Sequence, residues 1–139
     1  MRLGQSIVLR SGDPPVRLRI ALLDYRDEAR SPYYRPPRGQ KFVAFRLRIS
    51  NLSRRNWIGT VASWAQLVDS KGRTYSVLSR VGRPWPAFPP SLNNGSTIRP
   101  RHTLTGYLGW LLPKRVKLRT FRYSFGVSPA AGVWALPRR

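Results

Sequence analysis

The chain has 139 residues, 41% of them hydrophobic and 12% aromatic, and its 26 lysines and arginines against 5 acids give a net charge of +21. That length and apolar content suit one domain with a modest core and argue against disorder throughout. The charge excludes cationic partners and selects anionic ones: nucleic acid, anionic lipid headgroups, acidic cell-wall polymers or an acidic protein surface.

In chain order, the N-terminal "MRLGQSIVLRSGD" holds a short predicted strand from Gln5 to Leu9. Its apolar stretch ends at Arg10, too soon for the core of a signal peptide. As written, the chain reads as soluble and without an export signal, which also fits the mature part of a longer exported protein. "VRLRIALLDY" alternates Val16, Leu18, Ile20 and Leu22 against Arg17, Arg19 and Ala21, the period of a half-buried strand. Its "IALL" is the longest plain aliphatic run, far short of a membrane span. A Pro-rich loop follows from Asp27 to Gly39, with three prolines, two tyrosines and three arginines.

"KFVAFRLRIS" repeats the alternation, with Val43, Phe45, Leu47 and Ile49 predicted inward and Ala44, Arg46, Arg48 and Ser50 outward. "WAQLVDSKGRTYSVL" predicts a hairpin turning at Asp69 to Gly72, where Asp opens the turn and Gly supplies a positive φ. A second long loop, Arg80 to His102, carries Pro84, Pro86, Pro89, Pro90 and Pro100. "TLTGYLGWLLP" and "LRTFRYSFGV" are two further strands split by a turn from Pro113 to Lys117. In the tail "SPAAGVWALPRR", Trp134 either packs on the body or hangs free. Phe45, Leu47, Leu67 and Trp110 are assigned to the core, and Trp57 and Trp64 to core or edge. No segment shows a capped helical stripe.

Short strands separated by turn signals indicate an all-β sandwich or barrel, with residues 1–126 as the folded unit and 127–139 as a C-terminal tail. Loops longer than about 12–15 residues are functional or disordered. The two Pro-rich loops are therefore the first places to look for a binding surface.

Three segments resemble a known family in the family's own order. "GQKFVAFRLRISNLS" resembles its glycine, basic residue, Phe-Val, alternating strand and Asn-x-Ser ending; "AQLVDSKGRTYSV" its Leu-x-Asp-x-x-Gly-x-x-Tyr hairpin; and "IRPRHTLTGYLGWLLP" its apolar strand closed by proline. The family is the immunoglobulin-like, telokin-like bacterial domain of unknown function, family 4352, similar in fold to the mycobacterial immunoprotective extracellular protein. The resemblance implies an immunoglobulin-like antiparallel β-sandwich of about seven strands with two long Pro-rich loops, in an extracytoplasmic or cell-envelope setting, and it brings no catalytic residues. Arg101 stands where the family carries a turn glycine.

For catalysis, His102 is the single histidine, so a multi-histidine metal site within one chain is excluded. No G-x-S-x-G elbow is present. Asp24, Asp27 and Glu28 form the acidic cluster; hard cations take such oxygens, but pairing with Arg26 and Arg30 is the favoured expectation. His102 is read as a surface residue. No metal, cofactor or catalytic set is expected, the rival being an enzyme whose site is shared between subunits.

For binding, Arg17, Arg19, Arg46 and Arg48, with Arg119 and Arg122 on a third strand, are candidate anion-binding residues, because the guanidinium fork grips phosphate or carboxylate bidentately. Tyr33, Tyr34, Arg35, Arg38, Arg83, Trp85 and Phe88 are candidate loop contacts, suited to stacking on bases or sugars or to a protein interface, unless the aromatics fold back to cap the sandwich. The expectation is a non-catalytic binding or structural module engaging an anionic polymer or an acidic protein surface. The alternatives are a subunit of a larger assembly, such as a virion or surface array built by homo- or hetero-association, and a nucleic-acid binder without sequence specificity.

Overall fold

In a computed structural model of the chain, residues 1–12, 14–125 and 130–137 are described. Eleven strands run through them: β1 (Ser6–Ser11), β2 (Val16–Arg26), β3 (Gln40–Asn51), β4 (Trp57–Thr60), β5 (Ala65–Asp69), β6 (Thr74–Tyr75), β7 (Arg83–Pro84), β8 (Gly95–Ile98), β9 (Thr103–Pro113), β10 (Leu118–Tyr123) and β11 (Gly132–Ala135). All seven strands expected from the sequence are present. The four additional ones have four residues or fewer: β7 and β8 come from the second Pro-rich loop, β11 from the expected tail, and β4 from a stretch given no element. A single 3-10 turn, Val61–Trp64, is the helical element among the described residues.

The strands form an antiparallel sandwich. One sheet has the order β1-β2-β3-β9-β7, the other β11-β10-β5-β6, and β4 and β8 pair in a separate ribbon. The inward residues are those the alternation selects: Leu18, Ile20, Val43, Phe45, Leu47 and Trp110 from the larger sheet, Leu67, Phe121 and Tyr123 from the smaller, each at most 1% exposed. Phe45 and Phe121 meet across the layers at a 4.8 Å centroid separation. Truncating a side chain of this kind to alanine costs about 2–5 kcal/mol.

Two hydrogen-bonded details set the sandwich ends. At the β5–β6 hairpin, Gly72 has φ of 79°, as its sequence position requires. There, Asp69 Oδ1 accepts from the backbone N–H groups of Lys71 and Arg73, each at 2.9 Å, and Oδ2 accepts from Tyr75 Oη at 2.8 Å. Burial alone would raise the Asp69 carboxyl; the Tyr75 hydroxyl, the two amides and the Arg73 charge outweigh it and hold it below the usual carboxylate range. At the other closure, Gly132–Ala135 pairs with β10, and Trp134 is fully buried with its indole N–H donating to Gln5 O at 2.9 Å. The two alternatives for Trp134 thus resolve to packing, and its strand belongs to the smaller sheet. Residues 126–129 and 138–139, part of the expected tail and its boundary, lie outside the described residues.

The segment from Arg80 to His102 departs from its expected character as a loop. After β7 it runs along β9: Trp85 N–H donates to Gly109 O at 2.9 Å, and Tyr107 N–H donates to Pro90 O at 2.8 Å. Two glycines in β9 permit this approach. A Cβ at Gly109 would meet the Trp85 carbonyl, and one at Gly106 the Pro90 carbonyl. In consequence Ala44, expected outward, faces outward but is only 3% exposed, packed with Phe42, Ala87, Phe88 and Leu111 in a second apolar cluster on the outer side of the sheet.

Candidate functional site

The first question is whether the arginines of β2 and β3 share a surface. They do: β2 and β3 are neighbours, with Arg19 opposite Ser50 and Arg48 opposite Ala21. Arg17, Arg19, Arg46 and Arg48 are all exposed, and each alternates with a buried neighbour facing the core. β1 adds a residue absent from the sequence-level set. Arg10 is exposed and lies directly opposite Arg17, so five arginines occupy the outer face of three adjacent strands. Its sequence signal, a cation at the end of a strand, becomes informative only once β1 is paired with β2.

The electrostatics of this face are one-sided. Like charges directly opposite on a sheet are destabilising, and Arg10 and Arg17 form such a pair. Among the described residues, the ion pairs are Arg26 Nε to Asp24 Oδ2 at 3.3 Å and Lys41 Nζ to Asp27 Oδ1 at 2.8 Å, neither involving the five. Asp24 is the single acid on the outer face of these strands, placed directly opposite Arg46 after a bulge between Leu22 and Asp24, though its ion pair is to Arg26. The side chains beside the arginines on β3 and β9 are hydroxyls, Ser50 and Thr103 sharing a 2.9 Å hydrogen bond. Among the described residues these guanidinium groups have no ion-pair partner, an arrangement suited to binding anions.

Arg119 and Arg122 are exposed too, but β10 belongs to the smaller sheet. They are therefore on the far side of the sandwich and do not extend the patch.

The loop residues divide. Tyr33 is 73% exposed and Tyr34 43%, and Arg35, Arg38 and Arg83 are exposed. Trp85 is half-buried, with Tyr34 edge-on at 6.0 Å and the Arg83 guanidinium 5.2 Å from its ring centroid. Phe88, expected as a contact residue, is 8% exposed and stands edge-on to Phe42, so its role is packing. Ser31 Oγ ties the loops together by donating to Ala87 O at 2.5 Å.

A groove of about 690 Å³ lies where the 27–39 loop meets the covered half of the sheet, lined by Asp24, Glu28 and Arg30 with Phe88 and Tyr107. The acidic cluster pairs differently from expectation at one point. Asp24 takes Arg26, but Asp27 takes Lys41, a residue 4% exposed whose ammonium also donates to Val116 O at 2.6 Å. The inward pointing of a lysine at the start of β3 explains the switch, since a buried ammonium requires a carboxylate more than an exposed guanidinium does. Among the described residues, no group of three His, Cys, Asp or Glu side chains is placed to hold a metal ion, and no helix is long and apolar enough to cross a membrane. His102 is exposed, its amide donating to Arg99 O at 3.1 Å.

No family model matches the chain, and no curated protein matches it. Solved structures do. It is similar to the secreted protein MPT63 of Mycobacterium tuberculosis, at 16% identity over 97% of this chain and 95% of that one with a TM-score of 0.65. An uncharacterized β-sandwich protein from Clostridium difficile 630 is 12% identical over 97% and 91% of the two chains, TM-score 0.59, and the yjhA protein of Bacillus subtilis 11% identical over 99% and 100%, TM-score 0.57. At these identities the likeness concerns the fold, a β-sandwich over the whole length.

Proposed function

We propose that the protein is a non-catalytic binding module that engages an anionic polymer across the outer face of β1, β2 and β3, in an extracytoplasmic setting. One observation carries the reading: Arg10, Arg17, Arg19, Arg46 and Arg48 stand exposed on one sheet face with no ion-pair partner among the described residues. A flat ladder of guanidinium groups fits the repeated charges of a polymer better than a single small anion, and it has no element that reads bases. The setting is supported by the secreted neighbour and by the resemblance to the telokin-like family. The non-catalytic part rests on a lone, exposed histidine.

The test is the affinity of the native chain and of an Arg17, Arg19, Arg46, Arg48→Gln variant for double-stranded DNA and an acidic cell-wall polymer at several salt concentrations. Each phosphate contact contributes about −0.9 to the log-log salt slope. The variant is expected to keep its fold, since exposed charges contribute little stability, and to lose up to about 3.6 of that slope. An unchanged slope places the contacts elsewhere. Negligible binding by the native chain near physiological salt replaces the polymer with a protein neighbour in an assembly.

A further inference from the structure

The turn leading out of β6 belongs neither to the core nor to the arginine face. "WAQLVDSKGRTYSVL" predicts a second strand through Leu78, but β6 ends at Tyr75 because two serines close the chain on itself. Ser79 N–H donates to Ser76 O at 3.1 Å, and Ser76 N–H to Ser79 Oγ at 2.8 Å. The residues this turn holds outermost are Val77 and Leu78, where turns ordinarily carry Gly, Asn, Asp, Pro or Ser. Leu78 is 90% exposed, Val81 50% and Val77 38%. Single exposed aliphatics are common on protein surfaces, but three within five residues, held out by a closed turn, form a built apolar tip.

Among the described residues, the charged side chains lining the depressions at this tip are arginines. Arg73, Arg80 and Arg115 line a shallow depression of about 310 Å³ beside Val81. The adjoining β5–β6 and β9–β10 turns carry Lys71 and Lys114, and they are tied together by Ser70 N–H donating to Lys117 O at 2.7 Å. The carboxylate in these turns, Asp69, is buried and already satisfied.

We propose that this end of the sandwich docks on an anionic lipid surface, with Val77 and Leu78 entering the boundary between headgroups and acyl chains while Arg73, Arg80 and Arg115 engage headgroup phosphates. An aliphatic tip offers nothing to a nucleic acid or a cell-wall polymer, which supply charge without an apolar layer. A second copy of the chain would bring the same cations face to face. An anionic bilayer supplies negative charge and, a few ångströms below it, hydrocarbon. The surface is distinct from the arginine face: Val77 and Val81 share a depression with Gln40, and Arg46 lies six residues further along β3, about 20 Å away.

Because the chain has no cysteine, Leu78→Cys provides one attachment point for an environment-sensitive dye. On vesicles of phosphatidylglycerol and phosphatidylcholine the dye is expected to brighten and shift to the blue, and on phosphatidylcholine alone to stay unchanged. Leu78→Ser with Val81→Ser is expected to weaken binding to the anionic vesicles about tenfold, leaving DNA affinity intact, whereas the four-arginine variant changes the DNA salt slope. Vesicle binding that ignores the serine substitutions, absence of vesicle binding, or equal loss of DNA affinity in the serine variant each overturns the proposal. A dye shift that grows with protein concentration alone also overturns it, by making a second copy the occupant.

Discussion

One strand face shows two fates. Phe42, Ala44, Arg46 and Arg48 point to the same outer side of β3, yet the first two are buried beneath Phe88 and its neighbours and the last two are bare. The alternation that produces both is identical. What differs is β9, whose Gly109, opposite Ala44, lets the Trp85 segment lie against the sheet, while Tyr107 and Thr105, opposite Arg46 and Arg48, carry side chains and leave the arginines uncovered. A sheet face therefore becomes a second core or a binding surface according to what the neighbouring strand admits.

The largest way to break this comparison is Phe88→Ala, which uncovers Phe42 and Ala44. Removing a buried phenyl ring costs about 3–5 kcal/mol, to be read from urea unfolding. Arg46→Gln with Arg48→Gln is the control on the bare half, expected within about 0.5 kcal/mol of native per substitution. Equal costs on the two halves would erase the distinction.

Acid separates the halves from a third region. The folded Asp69 carboxyl sits below its unfolded value of 3.8. Its stabilising contribution is therefore fully present above that value and is lost as pH falls through the lower folded value. Asp69→Ala is expected to strand its donors, at about 1–3 kcal/mol each where buried, and to flatten the loss of stability below about pH 4. The arginine substitutions leave that acid limb unchanged. A variant with the native acid limb shows that other carboxylates set it.

A small effect of opposite sign belongs to the edge of the bare half. Arg101 has φ of 66°, a left-handed conformation that costs a residue with a side chain about 1–2 kcal/mol. Arg101→Gly relieves this at the expense of a more flexible unfolded chain, so a gain of no more than about 1 kcal/mol is expected, measured as a higher urea midpoint.

Most of the fold was legible because the sandwich obeys a local rule. Val16, Leu18 and Ile20, like Val43, Phe45 and Leu47, alternate with a period of two, and burial follows that period wherever one sheet face meets the other. The turn at Gly72 was equally local, because a positive φ is a property of one residue. The candidate site was legible residue by residue but not as a surface. Arg17 and Arg46 are each visibly outward, yet only the pairing of β1, β2 and β3 sets them beside Arg10, and only the order of strands removes Arg119 and Arg122 to the opposite sheet.

Sequence by itself determined which residues face in and which face out, through the pleat of each strand, and it determined the net charge of +21. Tertiary structure decided which outward residues remain outward. Phe88, Trp85 and Ala44 were covered because Gly109 admits a backbone, the tail became a strand because Trp134 fills the space between the sheets, and Leu78 was left bare because Ser76 and Ser79 end β6 early. Local periodicity acts over two residues and is written in order along the chain; covering a face requires two segments distant in sequence to meet, and one sequence carries no record of that meeting.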